Sequence, residues 1–346
     1  FCTGITLSHR NINCQLKNNM MYPLKFEVIL KSILWGGSEI CKFKNLSTKL
    51  DGIGESWEIS QVKDNVSVIA NGEYKGKNLT ELMQEKGAEL LGQHVLDRFG
   101  DKFPLLIKFI DARDNLSIQV HPNDKLAKER HNSFGKTEMW YVISAQEGAG
   151  LYSGFSKQIT PDEYVERVEN NTIMDVLQFH PVKSGDVFFL PAGRIHAIGK
   201  GIFIAEIQQT SDITYRIYDY NRKDANGKGR ELHTALAKDA IDYKMYSDLK
   251  TEYTHQENEP VLLANCPYFT TNLLEINSEK TVKREIADKD SFVIYICMEG
   301  EAVMVDNNGC KTELHRGETV LVPASTSFID LSTTQSVKLL ECYIPR

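Results

Sequence analysis

No apolar run in the sequence approaches the roughly 18–20 residues that a helix needs to cross a bilayer, so no membrane-spanning helix is expected. Paired cysteines are missing as well. Seven are scattered (Cys2, Cys14, Cys41, Cys266, Cys297, Cys310, Cys342), odd in number and without any C-x-x-C spacing. That argues against a disulfide framework or a thiolate zinc site, and for a reducing cytoplasm. Nor is there a basic excess: 40 Lys and Arg against 47 Asp and Glu leave a formal charge of −7. A nucleic-acid surface needs clustered cations, so no such partner is expected, whereas a single small phosphate needs only a few local ones. The opening stretch FCTGITLSHRNINCQLKNNM lacks the hydrophobic segment of a secretory signal, and residues 1–20 read as an unstructured leader.

What is present is a chain of 346 residues, which at about 100–200 residues per domain suggests two domains. Short β-rich runs dominate, among them NLSIQVH, EMWYVISA, DVFFLPA, GIFIAEIQQ, SFVIYICM and TVLVPAS, separated by Gly, Pro and Asn. Such spacing indicates a sandwich or barrel of strands rather than alternating strands and helices. Three helices are expected among them. Residues 79–97 carry apolar side chains at helical intervals, with a possible break at Gly87. Thr160-Pro161-Asp162-Glu163 has the pattern of a capping box and opens a helix to about Leu177. Residues 231–245 form the third, and the polar stretch 246–260 is the best linker candidate. The expected division is a leader (1–20), a larger unit with helical segments (21–250) and a smaller β-unit (251–346).

The two units echo one another. Gly185-Asp186-Val187-Phe188-Phe189-Leu190-Pro191-Ala192 returns as Gly317-Glu318-Thr319-Val320-Leu321-Val322-Pro323-Ala324. The first copy then reaches His196, and the second has Phe328 at the matching offset, as in a duplicated β-unit whose second copy lost a ligand. Chemistry is therefore expected in the first. There Gln119 and His121 lie two apart on a strand and point to one side. Glu138 leads another strand, and His196 follows the turn Pro191-Ala192-Gly193-Arg194. Two imidazoles, a carboxylate and an amide oxygen suit a divalent ion such as zinc, with a position left open.

The runs SIQVHPND (117–124), GKTEMWYVI (135–143), GDVFFLPAGRIHAIGKG (185–201) and EIQQTSDITYRIYDYNR (206–222), with LWGG (34–37) and GESWEIS (54–60), closely resemble type I mannose-6-phosphate isomerase in its compact bacterial form. The resemblance implies a mainly β cupin fold of two jelly-roll units with a few helices inserted in and after the first, and one zinc ion in the first unit. It puts the ligands on the same Gln119, His121, Glu138 and His196. It also implies a catalytic Arg216, Ser117 and Lys136 near the substrate, and Glu206 and Asp212 as acids lining the cleft. A proton-transferring role for Glu206 and Lys136, and a phosphate-binding one for Lys136, Ser117 and Arg216, complete the expected site. The implied activity interconverts mannose 6-phosphate and fructose 6-phosphate in a cytoplasmic monomer or homodimer, with a small phosphosugar as partner. An iron-dependent cupin oxygenase and a non-enzymatic sugar-binding cupin are the alternatives, separable by metal content and turnover. Trp35 and Trp57 read as packing aromatics.

Overall fold

The computed structural model describes residues 20–47, 50–223, 226–277 and 280–346, so all of the expected leader except Met20 lies outside the described residues. The chain is mainly β, as expected. A six-stranded antiparallel sheet runs, in spatial order, Val187–Leu190, Glu138–Ala145, Ile202–Gln209, Leu105–Ala112, Ile29–Gly37 and Ile53–Ile59. A five-stranded sheet runs Leu177–Pro181, Gly150–Phe155, His196–Ile198, Ile118–Val120 and Tyr215–Tyr218. The two face each other across Trp35, Ile110, Trp140, Phe188, Leu151 and Ile198, an apolar layer drawn from both. A third sheet, of nine strands, contains all the strands from Pro260 onward.

The six-stranded sheet is buried on both faces. Along Leu105–Ala112 every residue is buried. Leu105, Ile107 and Phe109 point outward into a large core shared with Leu273, Ile294, Ile296 and Leu340 of the nine-stranded sheet. Alternation then turns Leu106, Lys108 and Ile110 toward the inside of the first unit. The outer face of the five-stranded sheet is covered instead by the helix Pro161–Glu169, whose Tyr164 and Val168 pack on Ile118, Ala197 and Ile217. At the N-terminal side of the chain, Leu24–Lys25 pairs with Thr319–Val322 and ties the beginning of the described chain to its last sheet.

The echo seen in the sequence is repeated in three dimensions. Val187–Leu190 pairs with Glu138–Ala145, and Thr319–Val322 pairs with the long strand Val293–Asp306. His196 opens the strand that follows in the first unit, and Phe328 opens Phe328–Ser332 in the second. Phe328 lies under the Lys283 ammonium, 3.9 Å from the ring centroid, where the first unit has an imidazole.

The helices are shorter than the periodicity suggests. The 79–97 segment is three pieces, Leu79–Lys86, Ala88–Leu91 and Gln93–Phe99, broken at Gly87 and at Gly92, both with positive φ. At Gly92 a Cβ would lie 2.0 Å from the Asp290 carbonyl oxygen, so close backbone approach as well as conformation requires glycine. The helix begun at Thr160 ends at Glu169, and 177 belongs to a strand. Its capping box is half made: Thr160 Oγ1 accepts from the Glu163 amide, while the Glu163 carboxylate takes Arg167 instead. The 231–245 segment keeps only Thr234–Ala240, leaving Leu232 exposed. Two helices are unexpected: Glu39–Phe43 is too short and Asp124–His131 too polar to show a periodic apolar face.

Candidate metal centre

Cross-strand pairing aligns the polar residues of the five-stranded sheet into one row. His196 stands opposite both Ser153 and Gln119, and Gln119 stands opposite Arg216. Directly opposed residues of an antiparallel pair share a face, so these four lie side by side across neighbouring strands. Ser117, two residues before Gln119 and buried, belongs to the same face by alternation. His121 follows the strand Ile118–Val120. The facing sheet contributes Glu138, and Glu206 pairs with Trp140, two residues along from Glu138.

The two imidazoles are oriented from behind. His121 Nδ1 meets the Ile213 carbonyl at 2.9 Å, and His196 Nδ1 meets the Arg194 carbonyl at 2.8 Å. A carbonyl only accepts, so each Nδ1 carries the proton and each Nε2 presents a lone pair. Both lone pairs face Glu138: His121 Nε2 is 3.5 Å from Oε2, and His196 Nε2 is 3.2 Å from Oε1. Burial holds the imidazoles neutral. It lowers the pKa of His121 well below the ordinary histidine value and that of His196 to about 4. The ligand atoms of His121, Glu138 and His196 all lie within 4.8 Å of one another, and all three residues are buried.

Both Glu138 oxygens and His196 Nε2 are buried without a hydrogen-bond partner. Lys136 reaches only Glu138 Oε2 and His121 Nε2, so Glu138 Oε1 and His196 Nε2, 3.2 Å apart, face each other as acceptors that a cation would join. Neutral imidazoles, a carboxylate and the nearby amide of Gln119 thus fit a borderline divalent ion. Burial pushes the pKa of the Glu138 carboxyl up, the Lys136 ammonium pulls it down and the Glu206 charge pushes it up again, leaving it at about 8.

A second set of charges lies beside this triangle. Lys136 is buried, with Nζ 3.0 Å from Glu138 Oε2 and 3.1 Å from His121 Nε2. Glu206 accepts from Trp140 Nε1 at 2.8 Å and lies 3.5 Å from Lys108 Nζ. Burial raises the pKa of Glu206, but Lys136, Lys108 and the Trp140 hydrogen bond outweigh it, and the carboxyl stays below its ordinary value. Arg216 is half-buried. Its Nη1 donates to the Glu231 carbonyl at 3.0 Å, and its Nε is buried without a partner. Asp219 is held by Arg222 and Arg230, both at 2.5 Å, rather than by Arg216. Asp212 is exposed, next to the Ile213 whose carbonyl holds His121.

Sequence reasoning missed Lys108 and Glu55. Lys108 stands opposite Glu206 on one side and Trp57 on the other, its Nζ 3.7 Å from Glu55. Trp57 donates to Glu55 at 2.6 Å and is flanked by Lys31 and Lys108, each 4.9 Å from its ring. It is buried, as expected of a packing aromatic, and what it packs against is a polar layer. Trp35 does pack, against the apolar layer between the sheets. The available signal for Lys108 was a lone cation inside the apolar run LLIKFI.

Two family models match the chain. Phosphomannose isomerase type I, catalytic domain, matches residues 23–142, and mannose-6-phosphate isomerase, cupin domain, matches residues 259–339. Mannose-6-phosphate isomerase ManA of Bacillus subtilis is 37% identical over 87% of this chain and 93% of its own length. A mannose-6-phosphate isomerase of Streptococcus mutans is 38% identical over 75% of this chain and 80% of its own. The crystal structure of the Bacillus subtilis mannose 6-phosphate isomerase superposes with a TM-score of 0.81 at 30% identity, covering 93% of this chain and 99% of that one. With identity this high over nearly the whole length, the chain belongs to the type I mannose-6-phosphate isomerase family, built on the cupin fold.

Proposed function

We propose that this chain interconverts mannose 6-phosphate and fructose 6-phosphate, carrying a proton between adjacent carbons of the opened sugar through an enediol. The observation that carries the reading is the convergence of buried ligand atoms from His121, Glu138 and His196, with His196 Nε2 and Glu138 Oε1 left unsatisfied, in a chain of this family. The family favours isomerisation over the oxygenase and the sugar-binding cupin. We assign the chemistry to residues 21–250, leave residues 251–346 without a metal, and place the protein in the cytoplasm as a monomer or homodimer. Among the described residues no helix is long and apolar enough to cross a membrane.

Gln119, His121, Glu138 and His196 would hold one divalent ion, and zinc suits this donor set best. Such an ion, when bound, supplies a Lewis acid that polarises the sugar's carbonyl and hydroxyl oxygens and orients them. Glu206 is held ionised by the cations beside it, so its Oε2 can take a proton from one carbon and return it to the next. Arg216 shares the row of Gln119 and sets a fixed positive charge toward the oxygen that becomes negative in the enediol. Lys136 lies between the acid–base carboxylate and the ligand set, where its ammonium can stabilise or relay charge. Lys136, Ser117 and Arg216 bind the phosphate end, whose binding energy positions the reacting carbons, and Asp212 lies at the cleft's rim.

The test is a coupled assay for fructose 6-phosphate from mannose 6-phosphate, on protein as purified, after chelation, and after zinc is restored. Turnover lost with the metal and regained with zinc is expected. Absence of turnover in folded, metal-loaded protein would sink the proposed reaction.

A further inference from the structure

The segment 135–137 carries Lys136 into the site, and its three amides are all tied down. Gly135 N–H donates to Asp124 Oδ1 at 2.8 Å, Lys136 N–H to the Pro122 carbonyl at 3.1 Å, and Thr137 N–H to Gln209 Oε1 at 2.8 Å. Gln209 closes the loop by donating its own Nε2 to Asp124 Oδ1 at 3.0 Å. One carboxylate oxygen thus receives both the amide just before Lys136 and the side chain that holds the amide just after it. The fit leaves no room: a Cβ on Gly135 would lie 2.6 Å from the Asp124 nitrogen.

The other oxygen of Asp124 is bound from outside the unit. Tyr268, in the turn between Pro260–Asn265 and Thr270–Asn277, donates its phenol to Asp124 Oδ2 at 2.5 Å. That turn is itself seated firmly. Arg98 donates to the Pro267 carbonyl at 2.6 Å with its guanidinium 6.0 Å from the Tyr268 ring, and Phe269 packs edge-on against Phe189. On the other flank Phe99 lies 6.2 Å from Phe134, the residue before Gly135. Burial, and then the hydrogen bond to Asp124, push the phenol's pKa up, so it remains a donor across the neutral range.

We propose that Tyr268, supplied by the C-terminal sheet, is a positioning residue for Lys136, acting through Asp124 and the amides of 135 and 137. The inference rests on the isomerase reading, in which the Lys136 ammonium takes part. It gives the sheet without a metal a share in catalysis: its edge turn fixes the height at which a cation enters the neighbouring unit's site. A misplacement of even about 1 Å at such a group costs up to about a hundredfold in rate, without weakening the contacts that hold the substrate elsewhere.

The decisive variant is Tyr268→Phe, which keeps the ring and removes only the donor. Expected are a fall in kcat of about tenfold, with KM free to rise through the same ammonium's phosphate contact, and faster amide hydrogen exchange confined to 133–138. Tyr295→Phe serves as the control, because it removes a phenol bonded at 2.7 Å to Glu341 in the same sheet. It should lower the melting temperature and leave kcat alone. Unchanged kcat in Tyr268→Phe, or a fall in kcat without faster exchange at 135–137, would overturn the proposal. Absence of turnover in the wild-type protein would remove the isomerase reading by itself, and the exchange result alone would then decide whether Tyr268 holds this segment.

Discussion

Lys108 and Glu206 stand directly opposite one another on adjacent strands, with Nζ 3.5 Å from Oε2 and side chains only 8% and 3% exposed. They are the middle of a row that crosses four strands, from Trp140 through Glu206 and Lys108 to Trp57. A lysine this deep is normally discharged by burial. Here burial is opposed by Glu55, Glu206 and Glu138, and the ammonium is held above its ordinary value instead. The row therefore keeps a permanent positive charge next to the carboxylate assigned to proton transfer.

Replacing Lys108 by Met removes the cation shared by the buried Glu206 and the partly buried Glu55. Removing one partner of a buried ion pair costs about 3–5 kcal/mol, and unfolding in urea should show a loss of that order. A variant that unfolds at the wild-type midpoint would mean that the row carries no stability.

The candidate metal ligands predict a different signature. His121→Ala and His196→Ala each remove an imidazole whose orientation is already fixed by a backbone carbonyl. Loss of an outer partner typically weakens metal sites about 10–100-fold, so loss of a ligand itself should exceed that. Elemental analysis after dialysis should find substoichiometric metal in both variants, with circular dichroism of the folded state retained. Full metal content in either would remove that residue from the ligand set.

Arg216 tests whether charge or shape matters. Its guanidinium has one buried nitrogen without a partner and one anchored on the Glu231 carbonyl, a geometry an ammonium does not reproduce. Arg216→Ala should lower kcat by about 100–1000-fold, as for other donors aimed at developing negative charge. Arg216→Lys should recover only part of it. A KM effect with kcat intact would reassign Arg216 to plain substrate binding.

Acid should weaken the C-terminal sheet through Glu341. This carboxylate is fully buried and receives Arg284 Nε at 2.8 Å, Arg284 Nη2 at 2.7 Å, Tyr295 at 2.7 Å and Asn272 at 3.0 Å. Burial raises its pKa, but these donors outweigh burial and leave it below the ordinary value. The unfolded chain therefore takes up the proton first. The stability this group adds is fully present above the unfolded value of about 4.3 and is lost as pH falls through the lower folded one. Melting temperature should hold between neutrality and about pH 5 and fall below about pH 4, and Glu341→Gln should lower it at neutrality while flattening the acid limb. An identical acid limb in the variant would refute the assignment.

Much of this protein could be read from its chain alone, because the signals were local. Period-two alternation put Gln119 and His121 on one side, and the repeated Gly-to-Pro run located His196 and its replacement Phe328. A fixed series of motifs indicated the family before any contact was known. Helix lengths were less legible: 160–177 and 231–245 keep an apolar period beyond the point where the chain turns into a strand or a loop, since tertiary packing ends a helix that propensity would continue. Which face of LLIKFIDA looks inward could not be decided from a run buried on both sides. Packing of the nine-stranded sheet against Ile107 and Phe109 settled it, and so placed Lys108 beside Glu206. Tyr268 and Asp124 are separated by 144 positions, and neither residue type signals the other. The sequence by itself determined the strands, the family and the four candidate ligands, because side-chain alternation and short motifs act over a few residues. The tertiary structure alone decided which buried charges meet and how one sheet braces the other's site, because those contacts depend on how whole sheets are stacked.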